Sequence, residues 1–265
     1  MHTRIASSIR PWPIVGFIIA GLCASAQPLE LPVSGPYLEL LRRGDTYAAI
    51  RGLRRAEAAQ PRHGQTVLLL AYAYYLAGQK KLFVQKAVLA AELLPGSPDP
   101  PYALGRYYLD GVQRRDLAEE QFRLALARGP AHAGALYHLG WCLEQDGDAE
   151  AAARHYTRAN TWLGDLGLAR LALAAGDTKR SLERAMSAAR RQPGSPLVYL
   201  LIAKIHQRDN DCAGAIPALR RAVSLDPSDA SAYYQLSRCA AATGDAPLHR
   251  QSLQQYERLR SIYTP

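Results

Sequence analysis

One order of residues returns along this chain with a period of roughly 34. Leu104-Gly105 is followed by Tyr108, Ala118, Phe122, Ala125 and Pro130. Leu139-Gly140 is followed by Leu143, Gly147-Asp148, Ala152, Tyr156 and Ala159, and Ile202-Ala203 by Asn210-Asp211, Ala215, Leu219, Ala222 and Pro227. The string Pro-Gly-Ser-Pro occurs twice, at 95–98 and 193–196, each copy between two periodically apolar stretches. In the first half of each unit, large residues at i, i+3, i+4 and i+7 share one helical face. A Gly-Asp or Asn-Asp turn then ends one helix and caps the next. In the second half, small residues such as Ala118 and Ala152 let two antiparallel helices approach, and Phe122 or Tyr156 one turn later fills the gap. The closing proline cannot continue a helix. No stretch alternates as a β-strand would, so the chain is expected to be all helical.

These spacings resemble the tetratricopeptide repeat, W-x2-L-G-x2-Y, then A-x3-F, then P. The resemblance implies a right-handed α-solenoid of about seven helical hairpins: 30–63, 64–97, 98–132, 133–161, 162–195, 196–229 and 230–263. Two units break register. The unit 98–132 carries one extra residue in "DGVQRRD", and 133–161 lacks its closing proline, leaving "TWLGDLG" as a shortened joint. Pro32 and Pro36 truncate the first opening helix. Pro217, a turn into its helix, predicts a kink or a late start there. The polar last helix, with Pro247 in its first turn, is suited to cap the stack.

The N-terminus has a different composition. "MHTRIASSIRPWP" carries Arg4 and Arg10 and no acid, "IVGFIIAGLCASA" is apolar, and Ala24-Ser25-Ala26 is a small-x-small site. This predicts a signal peptide over 1–26, cleaved after Ala26, and a periplasmic or secreted protein over 27–265. A retained membrane anchor and lipidation at Cys23 are the alternatives. The apolar run is shorter than the ~20 residues that a spanning helix needs, so no transmembrane span is expected in the mature chain. Loss of Arg4 and Arg10 lowers the formal charge from +9 to +7, which favours acidic partners.

Catalytic motifs are absent: there is no HExxH, GxSxG, Walker loop or GxGxxG. The histidines have no metal-ligand spacing, and neither enzyme activity nor a cofactor or metal is expected. The odd count of Cys142, Cys212 and Cys239 in the mature chain excludes a regular disulfide framework. Buried core thiols are the expectation, with a Cys212–Cys239 bridge left open. The polar side-chain pairs by which pentatricopeptide arrays read RNA are missing, so no nucleic-acid partner is expected.

The resemblance also implies where binding lies, because the first helix of each hairpin lines the concave face of such arrays. By register, the fifth position reads Leu68, Tyr102, Tyr137, Leu166, Leu200 and Tyr234. The ninth reads Tyr72, Arg106, Trp141, Arg170, Lys204 and Arg238, and the twelfth includes Tyr75, Glu144 and Gln207. The expected partner-binding groove is therefore aromatic and basic: Tyr72, Tyr75, Tyr102, Arg106, Tyr137, Trp141, Arg170, Lys204, Tyr234 and Arg238, with packing between neighbouring hairpins as the alternative for each tyrosine. Arginine can hold a carboxylate in a fork while tyrosine and tryptophan supply rigid contact area. The function this implies is that of an exported, non-catalytic scaffold binding an acidic, partly apolar segment of a partner protein. The alternative is an accessory protein of the cell envelope that binds carbohydrate or another anionic polymer. Arg54-Arg55 and Arg220-Arg221 fall on the outer face, where long charged side chains are readily solvated.

Overall fold

A computed structural model describes residues 35–263, so the segment read as a signal peptide lies outside the described residues. Among the described residues there are fourteen helices and no strand. The chain divides into two compact units, the first ending at Cys142 and the second beginning at Leu143.

The first unit contains α1 (Gly35–Arg42), α2 (Thr46–Ala59), α3 (Gly64–Leu76), α4 (Lys80–Leu93), α5 (Asp99–Arg106), α6 (Arg115–Arg128) and most of α7 (Ala133–Gln145). Helices α1 and α2, α3 and α4, and α5 and α6 pack as successive hairpins, with α2 on α3 and α4 on α5 joining them. The second unit contains α8 (Ala149–Ala159), α9 (Trp162–Ala174), α10 (Thr178–Arg191), α11 (Pro196–Arg208), α12 (Cys212–Leu225), α13 (Ala230–Ala242) and α14 (Ala246–Tyr263). Here the hairpins are α9 with α10, α11 with α12, and α13 with α14, again joined by the intervening pairs. The fold class is therefore all-α, built from consecutive tetratricopeptide-like hairpins.

Turn chemistry explains where the helices stop and start. Gly147 and Gly176 adopt φ of +85° and +84°, a left-handed conformation in which a Cβ is strained. The aspartate after each, Asp148 or Asp177, accepts a hydrogen bond from the backbone N–H three residues on, at 2.9 Å in both cases. Asn210 (φ +57°) and Asp211 do the same work without glycine, with Asp211 accepting from Gly214 at 2.8 Å. That cap starts α12 at Cys212, so the late start expected from Pro217 does not occur. Pro217 sits inside the helix on its exposed side. The backbone acceptor it leaves without a donor, Ala213, is exposed to water.

Both register breaks have a structural form. The extra residue after α5 is taken up by a π-helical turn over Tyr107–Gly111, followed by Gln113 at φ +57°. A π turn holds one residue more than the α turn it replaces. The missing proline after α8 leaves only Asn160 and Thr161 as a linker. Asn160 is left-handed and Thr161 caps α9 by accepting from Gly164. So short a joint draws α9 down onto α8. A Cβ on Gly164 would lie 2.3 Å from the Tyr156 carbonyl oxygen, and one on Gly167 would lie 2.6 Å from the Tyr156 ring. The two glycines of "TWLGDLG" are there for that approach.

Each unit has its own core. Leu53, Val67, Leu70, Phe83 and Ala87 anchor the first, and Val198, Ile205, Ala215, Leu219 and Ala240 anchor the second. Phe122 and Tyr156, equivalent positions of two second helices, are 0% and 1% exposed.

Candidate functional site

The residues read from the sequence as one groove separate into two arrangements, one in each unit. In the first unit they lie largely inside. Tyr72, Tyr102, Arg106 and Tyr137 are 4%, 2%, 7% and 7% exposed, while Tyr75 and Trp141 are half-buried.

Arg106 has its charge satisfied within the unit. Its Nε donates to Asp110 Oδ2 at 3.0 Å and its Nη2 donates to the same oxygen. Its Nη1 lies 3.2 Å from His138 Nε2, which accepts, so the His138 proton resides on Nδ1. Tyr75 Oη donates to Asp110 from 3.5 Å, and Lys80 Nζ donates to the Gly111 carbonyl at 3.2 Å. Burial disfavours the Arg106 charge, but Tyr102 and Asp110 outweigh it and hold the guanidinium above its ordinary value. The π turn makes this possible, since it carries Asp110.

Around that pair the rings are packed closely. Tyr102 lies 4.6 Å from His132 and 5.9 Å from His138, and Phe122 stacks on His138 at 5.4 Å. His132 accepts from Ala135 N–H at its Nδ1, so its Nε2–H points to Asp99 at 3.3 Å. Burial raises the Tyr72 and Tyr102 phenols, and burial followed by Asp110 raises Tyr75 to about 12. Tyr72, Tyr102 and Tyr137 follow the alternative open to each of these tyrosines, packing between hairpins, whereas Arg106, expected in the exposed cationic row, is buried. Arg106 and Asp110 stand four apart, the spacing of a helical ion pair, and that signal was present in the sequence.

In the second unit Arg170 is also engaged. It grips Glu144 through Nη2 at 2.7 Å and Nε at 3.3 Å, donates to Tyr156 Oη at 2.8 Å, and lies over the Tyr156 ring. Tyr156 Oη in turn donates to Glu144 Oε2 at 2.5 Å. The ninth-position row was read as cationic without an acid. The acids come from other rows: Asp110 from the π turn and Glu144 from the twelfth position, and no local spacing in the sequence connects Glu144 to Arg170.

Lys204 and Arg238 differ from both. They are exposed, and among the described residues no carboxylate lies within ion-pair distance of either. Arg238 lies 6.0 Å from the centre of the Tyr234 ring, which is 44% exposed and packs at 5.1 Å on Tyr256. The helices bearing them touch, because Gln207 Nε2 of α11 donates to Cys239 Sγ of α13 at 3.4 Å. Lys204 stands one turn before Gln207 on α11, and Arg238 immediately precedes Cys239 on α13. The exposed candidates thus reduce to Lys204, Tyr234 and Arg238. Arg54, Arg55, Arg220 and Arg221 are exposed, with Arg220 at 4.0 Å from Asp245 and Arg221 over the Tyr199 ring.

Among the described residues no group of three or more His, Cys, Asp or Glu is placed to hold a metal ion. No described helix is long and apolar enough to cross a membrane.

Fold and site define an array of tetratricopeptide-like hairpins, with one buried polar layer and one exposed basic face. The sequence model of the Tetratricopeptide repeat family matches residues 102–162 and 200–261. Similar solved structures agree in fold. PilF of Pseudomonas aeruginosa matches at TM-score 0.63 and 20% identity, over 74% of this chain and 91% of that one. PilW, a type IV pilus biogenesis factor, matches at 0.62 and 18%, over 77% and 95%. The Cut9-Hcn1 structure of the APC/C matches at 0.68 and 17% over 77% of this chain, which spans only 41% of that one. No curated protein matches the sequence. Proteins built from this repeat generally mediate protein–protein interactions.

Proposed function

We propose that the chain is an exported, non-catalytic scaffold that docks an acidic, partly apolar segment of a partner protein on the α11–α13 face. The observation carrying this reading is the pairing of two exposed, unneutralised cations, Lys204 and Arg238, with the exposed ring of Tyr234. A carboxylate arriving there meets a lysine ammonium and an arginine fork, and an apolar side chain meets the tyrosine ring. The net positive charge steers acidic segments toward the protein. Export rests on the N-terminal pattern ending at Ala26, with an uncleaved anchor or a lipid on Cys23 as its alternatives. The partner surface in the first unit is smaller than the sequence implied, since Arg106 has no charge to offer.

The test is titration of a synthetic peptide of Asp and Glu interspersed with Leu and Phe, at low and high salt. Binding should weaken with salt and fall roughly 30-fold in the Lys204→Glu, Arg238→Glu double variant. Affinity indifferent to both would overturn the reading, and tighter binding of a polyanionic glycan would replace it. A photo-crosslinker at Tyr234 in cells, with one at Arg54 as control, would then identify the partner.

A further inference from the structure

Helices α12 and α13 of the second unit bring two sulfur atoms together. Cys212 is the first residue of α12 and Cys239 lies in the last turn of α13, 27 residues later. Their Sγ atoms are 2.8 Å apart, with the Cys212 thiol donating to Cys239. Both are thiols in this structure, Cys212 partly exposed and Cys239 buried. A disulfide has its sulfurs about 2.05 Å apart, so less than an ångström of approach separates this pair from a bond. A buried cysteine that merely fills a core has no need of a second sulfur at this distance.

We propose that Cys212 and Cys239 are a redox modification site, a dithiol that closes into an intrachain disulfide and ties α12 to α13. The Cys212 thiolate, being the accessible one, attacks a small-molecule or protein disulfide. A mixed disulfide forms and one thiolate of the oxidant leaves. The Cys239 thiolate then attacks Cys212 Sγ, the second thiolate of the oxidant leaves, and the new S–S bond is complete. Two thiols lose two electrons and two protons, and one disulfide of the oxidant is reduced to two thiols.

In the reduced form the hydrogen bond to Cys239, and then burial, raise the Cys212 thiol to about 11. Arg238 on α13 opposes that shift. Asp211, just before α12 and itself hydrogen-bonded to His206 of α11 at 2.9 Å, adds to it. Exchange is therefore slow at neutral pH and accelerates as the pH rises, while the same pair is joined throughout. The bond would fix α13 beside α12, and with it the position of Arg238. Formation of the bond does not depend on whether that residue meets a partner.

The experiment uses the full-length chain, incubated with oxidised glutathione or with a reductant, then denatured, alkylated and digested with trypsin. Cleavage after Arg208, Arg220, Arg238 and Arg250 isolates the two cysteines in peptides 209–220 and 239–250. The expected product is these two peptides joined and two hydrogens lighter, with the Cys142 peptide alkylated. The thermal midpoint should rise by roughly 5–10 °C on oxidation and return with reductant. Cys212→Ser should abolish both effects, and Cys239→Ala serves if the serine variant folds poorly. Alkylation of both peptides after oxidation, or a link that involves Cys142 or Cys23 instead, would overturn the proposal.

Discussion

Arg106 and Arg238 occupy the same register position of two hairpins, and the protein uses them in opposite ways. In the first unit the π turn delivers Asp110 to Arg106, His138 and Tyr102 close around it, and the side chain ends 7% exposed. In the second unit the turn after α13 is an ordinary Gly244-Asp245, whose aspartate is engaged in capping Leu248, and Arg238 stays in water. One inserted residue separates the two outcomes. A cation in a binding register is available to a partner only when its own unit has not already supplied the acid.

The sharpest break of that comparison is charge reversal. Arg106→Glu places a second carboxylate beside Asp110 in a buried layer and should cost about 3–5 kcal/mol of stability. Lys204→Glu and Arg238→Glu, on the exposed face, should each stay within about 0.5 kcal/mol. Chemical denaturation followed by circular dichroism distinguishes them, and equal losses would erase the contrast. Next in size is oxidation of Cys212 and Cys239, which for a loop of this length should add about 3–4 kcal/mol in the chain-entropy account.

Third is the docking effect. The Lys204→Glu, Arg238→Glu double variant should lower affinity for an acidic peptide roughly 30-fold, about 2 kcal/mol, with a shallower salt dependence. Weakened binding in the double variant with stability unchanged would sharpen the assignment to the second unit.

A fourth prediction uses alkali. Tyr75 is raised to about 12 by burial and Asp110, against about 10 in an unfolded chain. Its neutral form is favoured in the folded state, so the stabilisation is whole below pH 10 and is lost as the pH rises through 12. With Tyr75 partly solvated, the loss should be about 1–2 kcal/mol. Tyr75→Phe should flatten that decline, measured by denaturation across the same range. The smallest effect belongs to the caps: Asp177→Ala should cost about 1 kcal/mol and speed amide exchange at the start of α10.

The helical hairpins were legible because their signals are local. Ala118 and Phe122, the Gly-Asp turns and the closing prolines each act within a few residues, and the backbone responds to them directly. The irregular places were legible as positions but not as shapes. "DGVQRRD" announced an extra residue, and "TWLGDLG" announced a short joint. That the first becomes a π turn follows from α6 pairing with α5 while Asp110 pairs with Arg106. That the second is a two-residue link follows from glycines admitting the Tyr156 ring. The site was legible only as a list of helix positions. Whether each side chain faces water depends on what the next hairpin brings against it, and Glu144 reaching Arg170 from 26 residues away is invisible to any short pattern.

By itself, then, the sequence determined an all-helical chain of tetratricopeptide-like hairpins, the caps that punctuate it, and the registers from which binding residues are drawn. These depend on propensity, periodicity and turn chemistry, all short in range. Tertiary structure alone decided that Arg106 and Arg170 are neutralised, that Lys204 and Arg238 are not, and that Cys212 meets Cys239. Those outcomes depend on the depth and direction of side chains from separate helices. Electrostatic satisfaction and sulfur proximity are properties of contacts, and contacts between hairpins exist only once the chain has folded.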